Sequence, residues 1–483
     1  MPEIAVIAWL VVLAACPLAV TAASYTRLSV ERLRSTAVWS AAILLAWSAF
    51  ALVVPAWAAF AWRWPRAPHR LLGASFLRMD VLSSVLIPFT AGLWLLTVAV
   101  TPRARLDRAG LRRTALVTLV TLASFLTVSP LVLLGLWILS IAVFLAGMSG
   151  DEHRHARRVA GAYLGASSAF LALGVGLVAF GQHGSGAHAV GVWCLAAAAI
   201  IRKGVFPAHA WMPEVLERGR IGPTVLFSAP QIGTYVAVVL ILPEASATTL
   251  RVVAVLALAT AVHGAALALV QRDARRACGY LFVSQSALVM AGLDCTSVDA
   301  LCGALVLWLS SGVAFAGLAR CVLVLEARRG RLDLSKHHGG HDRMPMLAAS
   351  FLLMGLACTG FPGTLGFVGG ELLVGGAVAE FPVLGFCVVL AGALTGLAVL
   401  RMYFSLFCGA RDEAVHLQLV RREAWMFAAA AAFLVGTGLA PGPLVASRSE
   451  AAAHVRPAYA DDEAIPAPAG AAWGVERHRP RIE

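Results

Sequence analysis

Charge is scarce in this chain. Asp, Glu, Lys and Arg together make up 13% of its 483 residues, apolar side chains make up 60%, and mean hydropathy is +0.81. Such a balance excludes a soluble domain and reads as a polytopic membrane protein. Paired cysteines are also missing. The nine cysteines are scattered through apolar runs with no CxxC spacing. They read as small buried residues, not as a metal or disulfide framework. There is no GxGxxG, no GxxxxGK[ST] and no Cys/His cluster of iron–sulfur spacing. The sequence therefore gives no catalytic residue and no metal ligand set, and any redox cofactor belongs on another subunit. The net charge of +12 comes from arginines in short loops between apolar runs. That is a membrane-topology pattern and not a nucleic-acid signal. The first apolar segment, residues 4–21, follows no basic residue, so it reads as a span and not as a cleaved signal peptide.

What is present begins with one lysine. Lys203 ends the apolar run 190–201 and is followed by Gly204-Val205-Phe206-Pro207-Ala208-His209-Ala210-Trp211-Met212-Pro213. A charge at membrane depth costs about 2.5–3.5 kcal/mol on insertion scales, so it faces protein, water or a partner. Pro207 and Pro213 remove backbone donors and interrupt the helix. A lysine beside a broken membrane helix suits an ion or proton path. A lysine snorkelling from a helix end to the interface is the competing reading.

Apolar runs of bilayer length recur near 4–23, 37–62, 80–101, 112–128, 129–148, 159–180, 189–205, 222–242, 249–270, 275–293, 298–325, 345–378, 382–408 and 424–446, fourteen in all. The run 345–378 carries Gly360, Pro362, Gly363, Gly366, Gly369 and Gly370 and reads as a second broken helix. Arginines gather in alternate loops, from Arg27, Arg32 and Arg34 onward to Arg411, Arg421 and Arg422. The loops at 181–188, 243–248, 294–297 and 379–382 carry no Lys or Arg. The alternation puts the basic loops in the cytoplasm and both termini on the outer face. Arg63, Arg66, Arg70 and Arg78 fall on the outer side and break the pattern. Two broken helices in comparable positions predict an all-α membrane fold of about fourteen helices built on inverted five-helix repeats. The expected divisions are 1–111 (helices 1–3), 112–242 (first repeat), 243–274 (connecting helix), 275–408 (second repeat), 409–446 (helix 14) and a disordered tail at 447–483.

The residues around the breaks resemble the antiporter-like subunits of respiratory complex I, most closely the chain called M. Lys203-Gly204-Val205-Phe206-Pro207-Ala208-His209-Ala210-Trp211-Met212-Pro213-Glu214 is similar to that family's lysine, proline and His-x-Trp-Leu-Pro-Asp stretch. Pro223-Thr224 follows, as the family's Pro-Thr does. Asp273-Ala274-Arg275-Arg276-Ala277-Cys278-Gly279-Tyr280 with Val283-Ser284 resembles Asp-x-Lys-Arg-x-x-Ala-Tyr-Ser-Ser-Val-Ser. Gly360-Phe361-Pro362-Gly363-Thr364-Leu365-Gly366-Phe367-Val368-Gly369 resembles Gly-x-Pro-Gly-Thr-x-x-Phe-Val-Gly, preceded by Gly339-Gly340 and Met344-Pro345. The likeness runs from about residue 80 to 410. It implies a proton route along the bilayer midplane, driven by redox chemistry in partner subunits that hold quinone, flavin and iron–sulfur clusters. Its physical basis is that burial disfavours the charged form of a lysine and a nearby glutamate restores it, so such a pair can switch.

Carried over residue by residue, the family pattern is thinned. The broken-helix lysine is Lys203. The family's fifth-helix glutamate falls on Ile138, after Trp137. Its eighth-helix lysine falls on Gln231, its Val-Ser-His histidine on Gln285, and its eleventh-helix histidine near Ser311. The charged residue after Phe-Val-Gly falls on Gly370, with Glu371 one place later. Gln and Ser cannot change charge, though they can hold water and hydrogen-bond. The candidate path is then Lys203, Glu371, Asp80, His263 and His209. Each has a plainer reading. Asp80 beside Arg78 suits an interfacial ion pair, His263 a polar contact between helices, and His209 a shaping role in the break. The expectation is a proton-translocating subunit in the inner (cytoplasmic) membrane, packed with other membrane subunits in the bilayer. The alternatives are a non-pumping scaffold paralogue, or the membrane subunit of a cation/proton antiporter or an inorganic-carbon uptake complex.

Overall fold

The computed structural model describes residues 2–53, 60–63, 75–341, 343–378, 382–409 and 419–455. The chain is helical along nearly all of this length. It opens with α1 (Pro2–Ala23) and α2 (Val30–Val53), then α3 (Val81–Val100), α4 (Arg108–Phe125), α5 (Pro130–Ala146), α6 (Arg154–Phe180) and α7 (Gly186–Lys203). The short α8 (Trp211–Arg218), α9 (Ile221–Ser228) and α10 (Ile232–Val236) follow. A π-helical turn at 237–241 joins α10 to the segment before α11 (Ala247–Val270). The second half holds α12 (Ala274–Leu293), α13 (Val298–Arg329), α14 (Pro345–Thr359), α15 (Leu365–Val378), α16 (Pro382–Phe407), α17 (Arg421–Leu439) and α18 (Gly442–Val455).

Short polar side chains start many of these helices, as orphan amides at a first turn require. Asp80 accepts from Ser83 N at 2.9 Å, Asp107 from Gly110 N at 3.1 Å, Ser185 from His188 N at 3.2 Å and Asp273 from Arg276 N at 3.0 Å. Glycine ends them. Gly204 closes α7 at φ 69° and Gly360 closes α14 at φ 74°, the left-handed conformation that glycine adopts without a Cβ clash.

Helices α12 and α13 form the centre, buried along almost their whole lengths. Gly303 lets α13 lie against α15: a Cβ there would stand 2.4 Å from Leu373 N and 2.7 Å from Gly369 O. Small residues of this kind let membrane helices approach backbone to backbone. The arginine-rich loops are tied together by ion pairs. Arg220 meets Asp107 at 2.6 Å, Arg276 meets Glu217 at 2.8 Å, Arg328 meets Glu423 at 2.8 Å, and buried Arg275 meets buried Glu326 at 2.7 Å through Nε.

Four findings depart from the sequence expectation. A small antiparallel hairpin, β1 (Phe60–Arg63) with β2 (Ser75–Met79), pairs Phe60 with Met79 and Trp62 with Leu77. Helix α2 therefore starts earlier and stops sooner than the apolar run 37–62 suggested. Of the four arginines there, Arg66 and Arg70 lie outside the described residues. Second, the expected tail is helical as far as Val455. Helix α18 turns 77° from α17 and buries Arg448, whose guanidinium donates to Leu82 O at 3.2 Å and Ser447 Oγ at 3.0 Å. No apolar period marks this helix because an arginine occupies its buried face. Residues 456–483 lie outside the described residues. Third, a further break falls between α9 and α10, at Pro230-Gln231. Fourth, by length and hydropathy eight described helices can cross a bilayer, or nine with the bent pair α17/α18 as one crossing. These criteria do not reach the expected fourteen: α5, α14 and α15 are apolar but short.

Both expected breaks are present. α7 stops at Lys203 and α8 starts at Trp211; α14 stops at Thr359 and α15 starts at Leu365. The restart at Leu365 puts Gly370 and Glu371 inside α15. The first break is satisfied from within: Phe206 N donates to Thr260 Oγ1 at 2.9 Å, and Trp211 Nε1 donates to Ile201 O at 2.9 Å. Its outer side, however, presents Phe206, Pro207 and Ala210 on the surface of the chain, as the second presents Phe361 and Pro362.

Candidate functional site

Lys203 is 5% exposed and its stem lies along α10. That approach depends on Gly233, where a Cβ would stand 2.9 Å from Lys203 Cγ. The ammonium donates to Gln231 Oε1 at 3.0 Å and to Thr234 Oγ1. Gln231 is the hub. Its Nε2 donates to Ser311 Oγ at 3.1 Å, while its Oε1 also accepts from Thr234 Oγ1 at 3.2 Å and Ser286 Oγ at 3.4 Å. Gln231 has φ 53°, a left-handed conformation uncommon for a side chain of its size. Strain of that kind costs about 1–3 kcal/mol and persists where surroundings fix it. Here the fixing is visible: Trp308 Nε1 donates to Pro230 O at 2.9 Å just before the turn. A cavity of about 20 Å³ touches Lys203, Gln231 and Ser286, room for one water beside polar groups.

A second cation adjoins the first. Arg202 is buried, stacked over Trp137 at 4.2 Å and Phe227 at 4.5 Å, and donates to Ser140 Oγ at 2.9 Å. Cation–π contact of this sort offsets desolvation of the guanidinium. Asp294 is the buried cap of α12, and its Oδ2 has no hydrogen-bond partner among the described residues. On the side of the basic loops a cavity of about 600 Å³ is lined by Asp107, Arg220, Arg275, Glu326 and the fully buried Arg320.

The structure brings together three of the residues singled out from sequence: Lys203, Gln231 and Ser311. Gln285 is buried on α12 with Nε2 unpartnered among the described residues. Ile138 points outward at 47% exposed, and the neighbouring Trp137 takes the buried position. Asp80 caps α3 and pairs with Arg78 at 3.4 Å. Glu371 is exposed on α15, and Gly370 has open space where a Cβ would stand. His209 and exposed His263 form an edge-to-face pair at 5.4 Å between ring centres, with Phe206 beside both. Sequence reasoning missed Arg202, Thr234, Ser286, Asp294 and Arg320. Thr234 sits three residues after Gln231, one helical turn on, and was the most findable of these. Asp294 was hidden because its loop was read for basic residues alone.

Residues 164–395 match a family model described as NADH:quinone oxidoreductase/Mrp antiporter, transmembrane. Over that span the chain is similar to this antiporter-type membrane domain. The matched span includes Lys203, Gln231, Gln285, Ser311 and Glu371, while Asp80 and Ile138 precede it. NADH-quinone oxidoreductase subunit M of Pseudomonas aeruginosa is 30% identical over 254 residues, covering 51% of this chain and 49% of that protein. The chain spans about half the length of the curated relatives it matches. In fold it is similar to a chain of respiratory complex I from Thermus thermophilus, with TM-score 0.83, 22% identity, and coverage of 92% of this chain and 98% of that one. It is also similar to a chain of the Mrp complex from Dietzia, with TM-score 0.78, 19% identity and coverage of 92% and 96%.

Proposed function

We propose that this chain is a proton-translocating, antiporter-like membrane subunit of a complex I-like NADH:quinone oxidoreductase. Quinone reduction in partner subunits drives it, and the quinone, flavin and iron–sulfur clusters reside on those partners. One observation carries the reading: a buried lysine at a helix break, hydrogen-bonded to the strained hub Gln231 inside the antiporter-type domain. A lysine so placed can take up and release a proton while Gln231, Ser286, Ser311 and a water of the adjoining cavity keep the hydrogen-bonded network closed. The cavity on the basic side reaches in as far as the buried Arg320. By the arginine distribution the basic side is cytoplasmic and both termini are outside, in the inner membrane. The two breaks fit the division into inverted repeats at 112–242 and 275–408.

A second reading has its own support. Gln231, Gln285 and Ser311 do not titrate, and exposed Glu371 joins no described contact with the cluster. That pattern favours a scaffold that keeps the fold without pumping. Flux in vesicles containing the whole complex separates the two. Lys203→Met cannot titrate, and Lys203→Arg holds its proton throughout. Loss of flux in both variants at normal assembly is the expected result. Wild-type flux in Lys203→Met would leave the scaffold. A cation/proton antiporter would instead show flux without quinone reduction.

A further inference from the structure

At the opposite end of α7 from Lys203, three potential ligands converge. The loop before α7 supplies His183, the first turn of α7 supplies His188, and the turn after the π segment supplies Glu244. His188 Nε2 lies 3.0 Å from Glu244 Oε2, and His183 Nδ1 lies 3.6 Å from the same oxygen. The ligand atoms all lie within 4.8 Å of one another, and the imidazole rings meet edge to face at 4.8 Å. Zinc binds histidine nitrogen and carboxylate oxygen at about 2.0–2.2 Å, which puts tetrahedral neighbours about 3.3 Å apart. Two of the three edges already bracket that spacing. The third closes by rotation of His183, whose side chain is 84% exposed and free to turn.

We propose that His183, His188 and Glu244 form a divalent transition-metal site, with Zn²⁺ as its natural ion and a water in the fourth position. Two imidazoles and one carboxylate select zinc over magnesium or calcium, which take oxygen ligands. His188, whose side chain is only 8% exposed, is fixed in place as one ligand, and exposure of His183 gives the ion its way in. The plain alternative is a hydrogen bond between His188 and Glu244 with His183 nearby by chance.

The site also has a mechanical meaning. Helix α7 packs against α10 and the π segment. The ion would therefore clamp together the far ends of the two elements whose near ends hold Lys203 and Gln231. The proposal does not depend on proton transport.

The test is zinc titration of the full chain in its purified host complex, comparing wild type with His183→Ala and with Glu244→Gln. Wild type is expected to bind one more equivalent of Zn²⁺ than either variant, at micromolar or tighter affinity, and no more Mg²⁺ than either. His183→Ala is the deciding arm, since replacing so exposed a side chain leaves the fold intact. Equal zinc uptake by wild type and His183→Ala would overturn the site and leave a hydrogen bond only.

Discussion

Gln231 stands where the family resemblance leads one to look for a charged side chain, and its amide combines two roles that a lysine, which only donates, could not. It accepts from Lys203 through its oxygen and donates to Ser311 through its nitrogen. Replacing the amide with a carboxylate tests whether that neutrality matters. Gln231→Glu would put a negative oxygen about 3 Å from the ammonium and hold the proton on Lys203. The expected outcome is normal assembly with proton flux reduced about tenfold or more, a bias of about 1.4 kcal/mol in the lysine's proton equilibrium. Unchanged flux in Gln231→Glu, measured in vesicles at matched protein content, would mean that Lys203 does not cycle. The residues that sequence reading reached and missed divide along a physical line. Lys203 was legible because one charge in an apolar run is expensive wherever it sits. Ser286, which sequence reading missed, lies on α12, and only tertiary packing brings it to the Gln231 hub.

Among the elements, breaks written in glycine and proline were readable and the third was not. Gly204 and Gly360 take the left-handed turn, and Pro207 and Pro362 follow them within three residues. At the third break the left-handed residue is Gln231, so no glycine announces it, and Pro230 sits inside a run apolar on both sides. Orientation of Glu371 was equally hidden, because α15 is apolar around its whole circumference and offers no polar face to set its phase. Packing of α13 on α15 is the element-scale test. Gly303→Ala pushes a methyl group into backbone at 2.4 Å, and overpacking of this kind costs about 1–3 kcal/mol. Thermal denaturation in detergent should show a lowered midpoint for Gly303→Ala and none for Gly165→Ala, where nothing lies within 4 Å. Equal midpoints would mean that the helices separate without cost.

For the whole molecule, the proposed orientation rests on the side on which the arginine loops gather. The prediction is that single cysteines placed at 103–113 and at 326–343, in a cysteine-free background, resist a membrane-impermeant reagent applied from outside. Labelling of either would invert the molecule and, with it, the outer placement of the His183–Glu244 cluster. The outward sides of the two main breaks have a consequence for the cell that makes this chain. Phe206, Pro207 and Ala210, with Phe361 and Pro362, present non-helical backbone at the surface of the protein, and acyl chains cannot solvate such backbone. A copy synthesised without neighbours to cover those two places is an orphan by construction. On the proposed reading of this chain as one subunit of a complex, its supply should be tied to supply of its companions. Pulse-chase labelling should show a short half-life when it is expressed alone and a long one when the rest of its complex is co-expressed. Equal lifetimes would mean that a lone copy is already a finished product.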